Sequence, residues 1–398
     1  MSSAAPLELH RPDPARGGFS AVELAIGIPM GVDDEIAARL HDAQRRAVRR
    51  DPLELLDESI ARAMSDHTIV QFSGGVDSSL VLAAATRAAR ARDLPLPIPF
   101  TLRYGREESE ESAFQEELVE TLGLTDWIIL DVDGEDDLLS PASRAHLLEH
   151  GMSTSARVAS RDWYLSELPV RDGSVLMSGE GGDEVLGPAP FATLHGLRWA
   201  VAHRRQRRTA LGALRRRTTA RVRRFRSVPD SFYAPWLTET GRTLANRLML
   251  DDRSHPVTMK QWMRRYRSKR NLVRGIDSVA RQAGRFGFDY SAPLLDLEFM
   301  AGLTASVPEH DFVNRMLVIR KYFPGLLPAS IANRTSKASF NASIFGPDTQ
   351  EFARSWDGRG GVPVELVDPE ILRSTWLDAS DSRGGLMLQS AWLTSQGR

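Results

Sequence analysis

The chain has 398 residues, with 51 basic against 52 acidic side chains and a formal net charge of −1, so the molecule as a whole exerts no pull on nucleic acid or an acidic membrane. It contains no cysteine, which excludes disulfides, thiolate metal sites and a cysteine nucleophile. No apolar run is long enough to cross a bilayer, and MSSAAPLELHRPDPARGGFS at the start lacks the apolar centre of a secretion signal, so a cytoplasmic location is the expectation.

Residues 1–32 are rich in proline, glycine and small side chains and read as an irregular arm. From Asp33 to about Met64 the apolar positions Ile36, Leu40, Leu53, Leu56, Ile60 and Met64 recur at roughly helical spacing, predicting two helices. The pattern then changes. TIVQFS (68–73), IPFTLR (98–103), WIILDV (127–132) and SVLMS (174–178) are short apolar runs rich in β-branched and aromatic residues, and helical segments at 78–92 and 109–122 separate the first three. Strands alternating with helices predict right-handed crossovers and a parallel twisted sheet with flanking helices, an α/β fold. From about Pro188 onward the reading is mostly helical, with two tryptophan-containing helices near the end at 372–377 and 386–393. The expected organisation is therefore an N-terminal arm and helix (1–50), an α/β core (51–190) and a mostly helical region (191–398).

Two features of composition stand out. Only four of the basic residues are lysines: Lys260, Lys269, Lys321 and Lys337. Eleven arginines crowd HRRQRRTALGALRRRTTARVRRFR (203–226), which reads as solvated helix faces, as a contact for an acidic peptide or partner protein, or as a nucleic-acid surface. The last is disfavoured because Phe225 is the only aromatic residue there.

Two glycine loops carry the chemistry. SGGVDSS (73–79) follows the first predicted strand and opens a helix, the arrangement in which backbone N–H groups and the helix dipole favour an anion such as phosphate. Gly74 and Gly75 allow a close approach to a ligand, and Ser73 and Ser78 add hydroxyls. Asp77 beside a phosphate calls for a cation between them, which Mg²⁺ supplies. No G-x-x-x-x-G-K-[ST] occurs, so this is not a Walker A loop. MSGEGGDEVLGP (177–188) repeats the device after the fourth predicted strand, now with Glu180, Asp183 and Glu184. Both loops fall at carboxyl ends of strands, where open parallel sheets bind ligands, so they can face each other across a Mg–ATP.

SGGVDSS resembles the pyrophosphate-binding loop of the N-type ATP pyrophosphatases, and SGEGGDE resembles the second signature of the asparagine synthetase family within that group. Further resemblances follow in order: PFTLR with EESAFQEELVETLGL (99–103, 110–124), DYSAPLLD (289–296) against E-x-R-x-P-F-L-D, and IRKYFPGLLPASIANRTSK (319–337) against L-R…L-P…R-x-x-K. The resemblance covers roughly residues 50–340 and implies an adenine nucleotide α-hydrolase-like fold. It also implies an activity that uses ATP and Mg²⁺. A carboxylate attacks the α-phosphate, pyrophosphate leaves, and an amine then takes the acyl group, with AMP expelled.

Carried over, Ser73, Gly74, Gly75 and Ser78 hold pyrophosphate, Asp77 and Asp183 hold Mg²⁺, and Phe72, Leu102, Ser178 and Gly179 line the adenosine side. Lys337 stabilises charge on the α-phosphate. Glu180 accepts or orients the proton of the incoming amine, or serves the loop's structure alone. Asp289, carried over as a third catalytic residue, stands where the family has glutamate, and Ser291 where it has arginine, a departure that argues against an aspartate-binding acceptor pocket. Glutamine-dependent relatives begin with an amidohydrolase domain whose nucleophile is an N-terminal cysteine; here residue 2 is serine. The expected nitrogen source is therefore ammonia, a partner glutaminase or an amine on a substrate. β-Lactam synthetases and lasso-peptide cyclases are related, so a specialised or peptide carboxylate is expected ahead of plain asparagine synthesis. A tRNA-modifying enzyme and an inactive binding subunit are the more distant alternatives.

Overall fold

The computed structural model describes residues 12–13, 17–105, 111–153, 155–187, 233–251, 256, 258–332 and 344–398. Five strands form one sheet: β1 (Thr68–Gln71), β2 (Ile98–Tyr104), β3 (Ile128–Val132), β4 (Val175–Met177) and β5 (Asp289–Ser291), in the order β3-β2-β1-β4-β5. Every neighbouring pair is parallel. The four expected strands are present, three of them trimmed by a residue or two and β2 extended by one to Tyr104, and the expected helices at 78–92 and 109–122 appear as Val76–Arg90 and Ser112–Thr121. The fifth strand was not anticipated: three residues, DYS, are too few to show alternation, and only pairing with β4 makes them a strand.

The chain moves outward from β1 through β2 to β3, then returns to lay β4 against the other side of β1. That reversal opens a crevice beyond the carboxyl ends of β1 and β4, the usual ligand position in such sheets. Central strands of a parallel sheet are covered on both faces, and the alternation of β1 and β4 follows from this. Val70 and Met177 join a core with the helices Pro52–Ala63, Val76–Arg90 and Leu297–Ser306, while Ile69 and Leu176 join Phe100, Tyr164 and Phe288 on the opposite face. Pro52–Ala63 begins where it does because Asp51 caps it and proline occupies its first turn.

The N-terminal segment differs from the irregular arm expected for 1–32. Ala21–Ile26 is a short helix started by a capping box, Ser20 and Glu23 each accepting from the other's backbone N–H. Its side chains enter a separate core with Trp236, Trp376 and Leu386, and the Trp236 indole donates to the carbonyl of Ala25 at 2.7 Å. The two helices expected near the end are Pro369–Leu377 and Gly385–Ser395, and Pro347–Ser355 adds a third. All three contribute to that second core.

Candidate active site

The first glycine loop leaves β1 through Phe72, whose N–H bonds the Phe100 carbonyl at 2.7 Å. Phe72 as a whole residue is 1% exposed, and its carbonyl accepts from the Thr101 hydroxyl at 2.8 Å, so it lies behind the surface of the crevice. Ser73 is exposed and Gly74 is buried against Gln115 and Glu111, and Gln115 braces the turn by donating to the Ser73 carbonyl at 3.0 Å. Ser78 points back into the loop, donating to the Gly75 carbonyl at 3.0 Å and accepting from the Ser73 N–H at 3.2 Å. Its hydroxyl shapes the loop instead of reaching outward. Gly75 is the N-cap of Val76–Arg90, and among the described residues no side chain caps that helix. The N-terminal N–H groups of a helix carry partial positive charge and need acceptors, and an anionic ligand satisfies both demands.

The second loop lies directly on the first. A Cβ added at Gly179 would come within 2.6 Å of the Ser78 backbone nitrogen and 2.7 Å of the Asp77 carbonyl carbon, and one at Gly182 would overlap the Asp77 carboxylate. These glycines are therefore a packing requirement. Glu184 clamps the far side of the loop, its carbonyl accepting from the Trp262 indole at 3.3 Å and its carboxylate from the Tyr266 hydroxyl at 3.0 Å. Burial, and then the Glu184 charge, push the Tyr266 phenol above its ordinary range, so it remains a donor.

The stacked loops bring Asp77 and Asp183 together. Arg315, the first residue of the helix Arg315–Tyr322, sits between them, with Nη2 3.1 Å from Asp77 and Nη1 paired with Asp183. Two converging carboxylates require a cation, and these are hard oxygen donors. Among the described residues no group of three or more His, Asp or Glu could hold a metal ion. A site with two carboxylates fits Mg²⁺, which usually takes one or two from the protein and completes its shell with waters and substrate phosphates.

Beside this pair, Ser178, Glu180 and Tyr290 form a linked group. The Tyr290 hydroxyl donates to Glu180 at 3.0 Å and lies 2.7 Å from the Ser178 hydroxyl. Burial first, then the Glu180 charge, hold the Tyr290 phenol above its usual range. Arg161 backs the group: burial opposes its charge, but Tyr164, Tyr290 and Glu180 outweigh that. Asp289 is not part of this group. It is exposed at the amino end of β5, opposite Val175, and residues alternate across a strand, so Tyr290 turns to the side where Glu180 lies. Leu102 packs against the core on the face opposite the one holding Phe72. Lys337 and the arginine-rich 203–226 lie outside the described residues.

Sequence reasoning missed Arg315, Tyr290 and Arg161. Tyr290 was within reach, being one position from a residue singled out and of opposite strand parity; Arg315 and Arg161 belong to no spacing or motif that marks them.

Fold and crevice together define an α/β protein in which a glycine loop and the start of a helix stand beside two carboxylates. The family model for asparagine synthase matches residues 52–394, and the chain belongs to that family. At the level of the family this makes it an ATP-dependent, amide-bond-forming synthetase. No curated protein matches the chain. Among the described residues no helix is long and apolar enough to cross a membrane.

Proposed function

We propose that this protein is a cytoplasmic Mg–ATP-dependent ligase that adenylates a substrate carboxylate, releasing pyrophosphate, and passes the acyl group to an amine or ammonia with release of AMP. The reading rests above all on the stacking of one glycine loop upon the other, which gathers an uncapped helix N-terminus, Asp77, Asp183 and Glu180 at one crevice. Ser73, Gly74 and Gly75, in the loop that Ser78 shapes, would hold the pyrophosphate portion. Leu102, Ser178 and Gly179 would border the adenosine, with Phe72 packed behind them. Asp77 and Asp183 would hold Mg²⁺, which when bound offsets the phosphate charge.

The chemistry asked of the chain's residues is modest. A carboxylate oxygen bonds to the α-phosphorus as the α–β bridging bond breaks, and its electron pair leaves with pyrophosphate; Lys337 would steady the charge there. The amine nitrogen then bonds to the acyl carbon, its proton passes to Glu180, and AMP leaves with the carbon–oxygen pair. Tyr290 orients Glu180 for this. Asp289 touches none of these groups and is assigned no step.

A specialised or peptide substrate is favoured over aspartate for two reasons. Serine at 291 leaves the acceptor side without the expected arginine, and a cleft of about 250 Å³ opens there, lined by Ser59, Arg62, Arg267, Ser291 and Asp296 among others. An acidic peptide meeting 203–226 would fit the same reading. The test incubates the protein with Mg–ATP, aspartate and ammonium and quantifies AMP, pyrophosphate and asparagine together. Asparagine formed one-for-one with AMP would make the protein a stand-alone ammonia-dependent asparagine synthetase and refute the specialised substrate. With an accepted substrate, Lys337→Ala should abolish product while ATP still binds.

A further inference from the structure

We propose that Arg315 is a positioning residue that occupies the two-carboxylate site as an internal cation, gives way to the divalent ion, and thereby couples metal binding to phosphate binding. The proposal rests on the reading of Asp77 and Asp183 as the metal-holding pair.

One guanidinium touches both carboxylates, and these come from different loops. Without a cation between them, the like charges would drive apart loops that Gly179 and Gly182 hold in contact. Arg315 supplies that cation, but incompletely. Among the described residues its Nε is buried with no hydrogen-bond partner, whereas a guanidinium built as a permanent bolt has its buried donors satisfied.

Its anchorage suits a group that moves. Asn314 caps the helix, accepting from Met316 N–H at 2.8 Å, and Val318 and Ile319 are buried in the main core. The backbone at 315 is thus fixed, while a long side chain reaches from it across the crevice. A small divalent ion demands oxygen ligands at short range and cannot share the pair with a guanidinium. Entry of metal therefore releases Arg315 beside the open N-terminus of Val76–Arg90, where a bound phosphate offers it a new planar partner. Metal alone must displace the guanidinium without compensation; metal arriving with phosphate does not. By linkage the two ligands then strengthen each other's binding.

The test measures Mn²⁺ binding to the full chain by electron paramagnetic resonance, with and without pyrophosphate, in the parent and in Arg315→Gln. Removing the competitor should tighten Mn²⁺ alone by about tenfold, and the further tightening caused by pyrophosphate should shrink. A purely structural bridge predicts the reverse: the loops separate, and Mn²⁺ binds no better or worse than in the parent, which would overturn the proposal. Arg315→Lys keeps a charge but cannot span both carboxylates, so its Mn²⁺ affinity should fall between the other two; it decides the matter if Arg315→Gln does not fold. Asp183→Asn is the separate control. If it binds Mn²⁺ as the parent does, the two-aspartate reading fails, whatever Arg315 does.

Discussion

The contact between the two glycine loops can be tested with a single methyl group. In Gly179→Ala the new Cβ would lie 2.6 Å from the Ser78 backbone nitrogen and 2.8 Å from its Cα, against about 3.4 Å for an ordinary contact. The obstructing atoms are backbone in the first turn of a helix buried along most of its length, so no rotamer change relieves the overlap. The second loop must withdraw by a large fraction of an ångström, at a stability cost of about 1–3 kcal/mol for overpacking. Glu180 and Asp183 move with it. Functional groups need placement within about 0.5 Å, and an error near 1 Å costs about 100-fold. Pyrophosphate titrated calorimetrically in the presence of Mg²⁺ should therefore bind at least about tenfold more weakly to the variant, and urea melts should show the stability loss. Pyrophosphate affinity equal to the parent's, in a variant that melts normally, would mean that the loops do not act as one site.

Tyr290→Phe removes the hydroxyl shared by Ser178 and Glu180; a hydrogen bond to a charged group is worth about 1.5–3 kcal/mol, so acceptor-dependent AMP release should fall about 10- to 100-fold while pyrophosphate affinity holds, and an unchanged rate would remove Tyr290 from the chemistry. Stability should decline as pH drops through 6.5, because burial, and then Arg171, lower the His67 pKa below that value. In that interval the unfolded chain binds a proton that the folded chain refuses. His150 acts in the same sense, burial being its first cause. Urea midpoints at pH 7.5 and 5.5 should differ less in His67→Asn than in the parent, and an equal difference would refute the assignment.

What could be read from the sequence was whatever is local. Short β-branched runs, the helices between them and the glycine loops after β1 and β4 each carry their signal within a dozen residues, and the structure has them in place. The capping box at Ser20 and Glu23 was equally local but lay in a segment whose prolines and glycines suggested irregularity. What escaped depends on distant pairing. DYS becomes a strand only through β4, and its parity, which turns Tyr290 towards Glu180 while Asp289 stays exposed, exists only once the pairing exists. Arg315 reaches Asp183 across 132 positions of sequence, and no periodicity records that.

Gly75 provides a final test, since phosphate binding and stability should there pull in opposite directions. Its backbone is extended, at φ −69° and ψ 156°, a conformation open to any residue, and among the described residues an added Cβ would meet only the Ser73 hydroxyl at 3.3 Å. Elsewhere the chain caps helices with Asp33, Asp51, Asp296 and Asp368. Aspartate at 75 would do the same for Val76–Arg90, adding the few tenths of a kcal/mol by which a capping side chain exceeds glycine to the smaller entropy of its unfolded state, about 0.5–1.5 kcal/mol in all. The same carboxylate would occupy the N–H groups that a phosphate needs and would repel it. Gly75→Asp should therefore unfold at higher urea than the parent and bind pyrophosphate at least about 100-fold more weakly. A variant that gains no stability would show that the helix start is already satisfied. One that binds pyrophosphate undiminished would show that the anion does not sit there, and the assignment of this loop would fail with it.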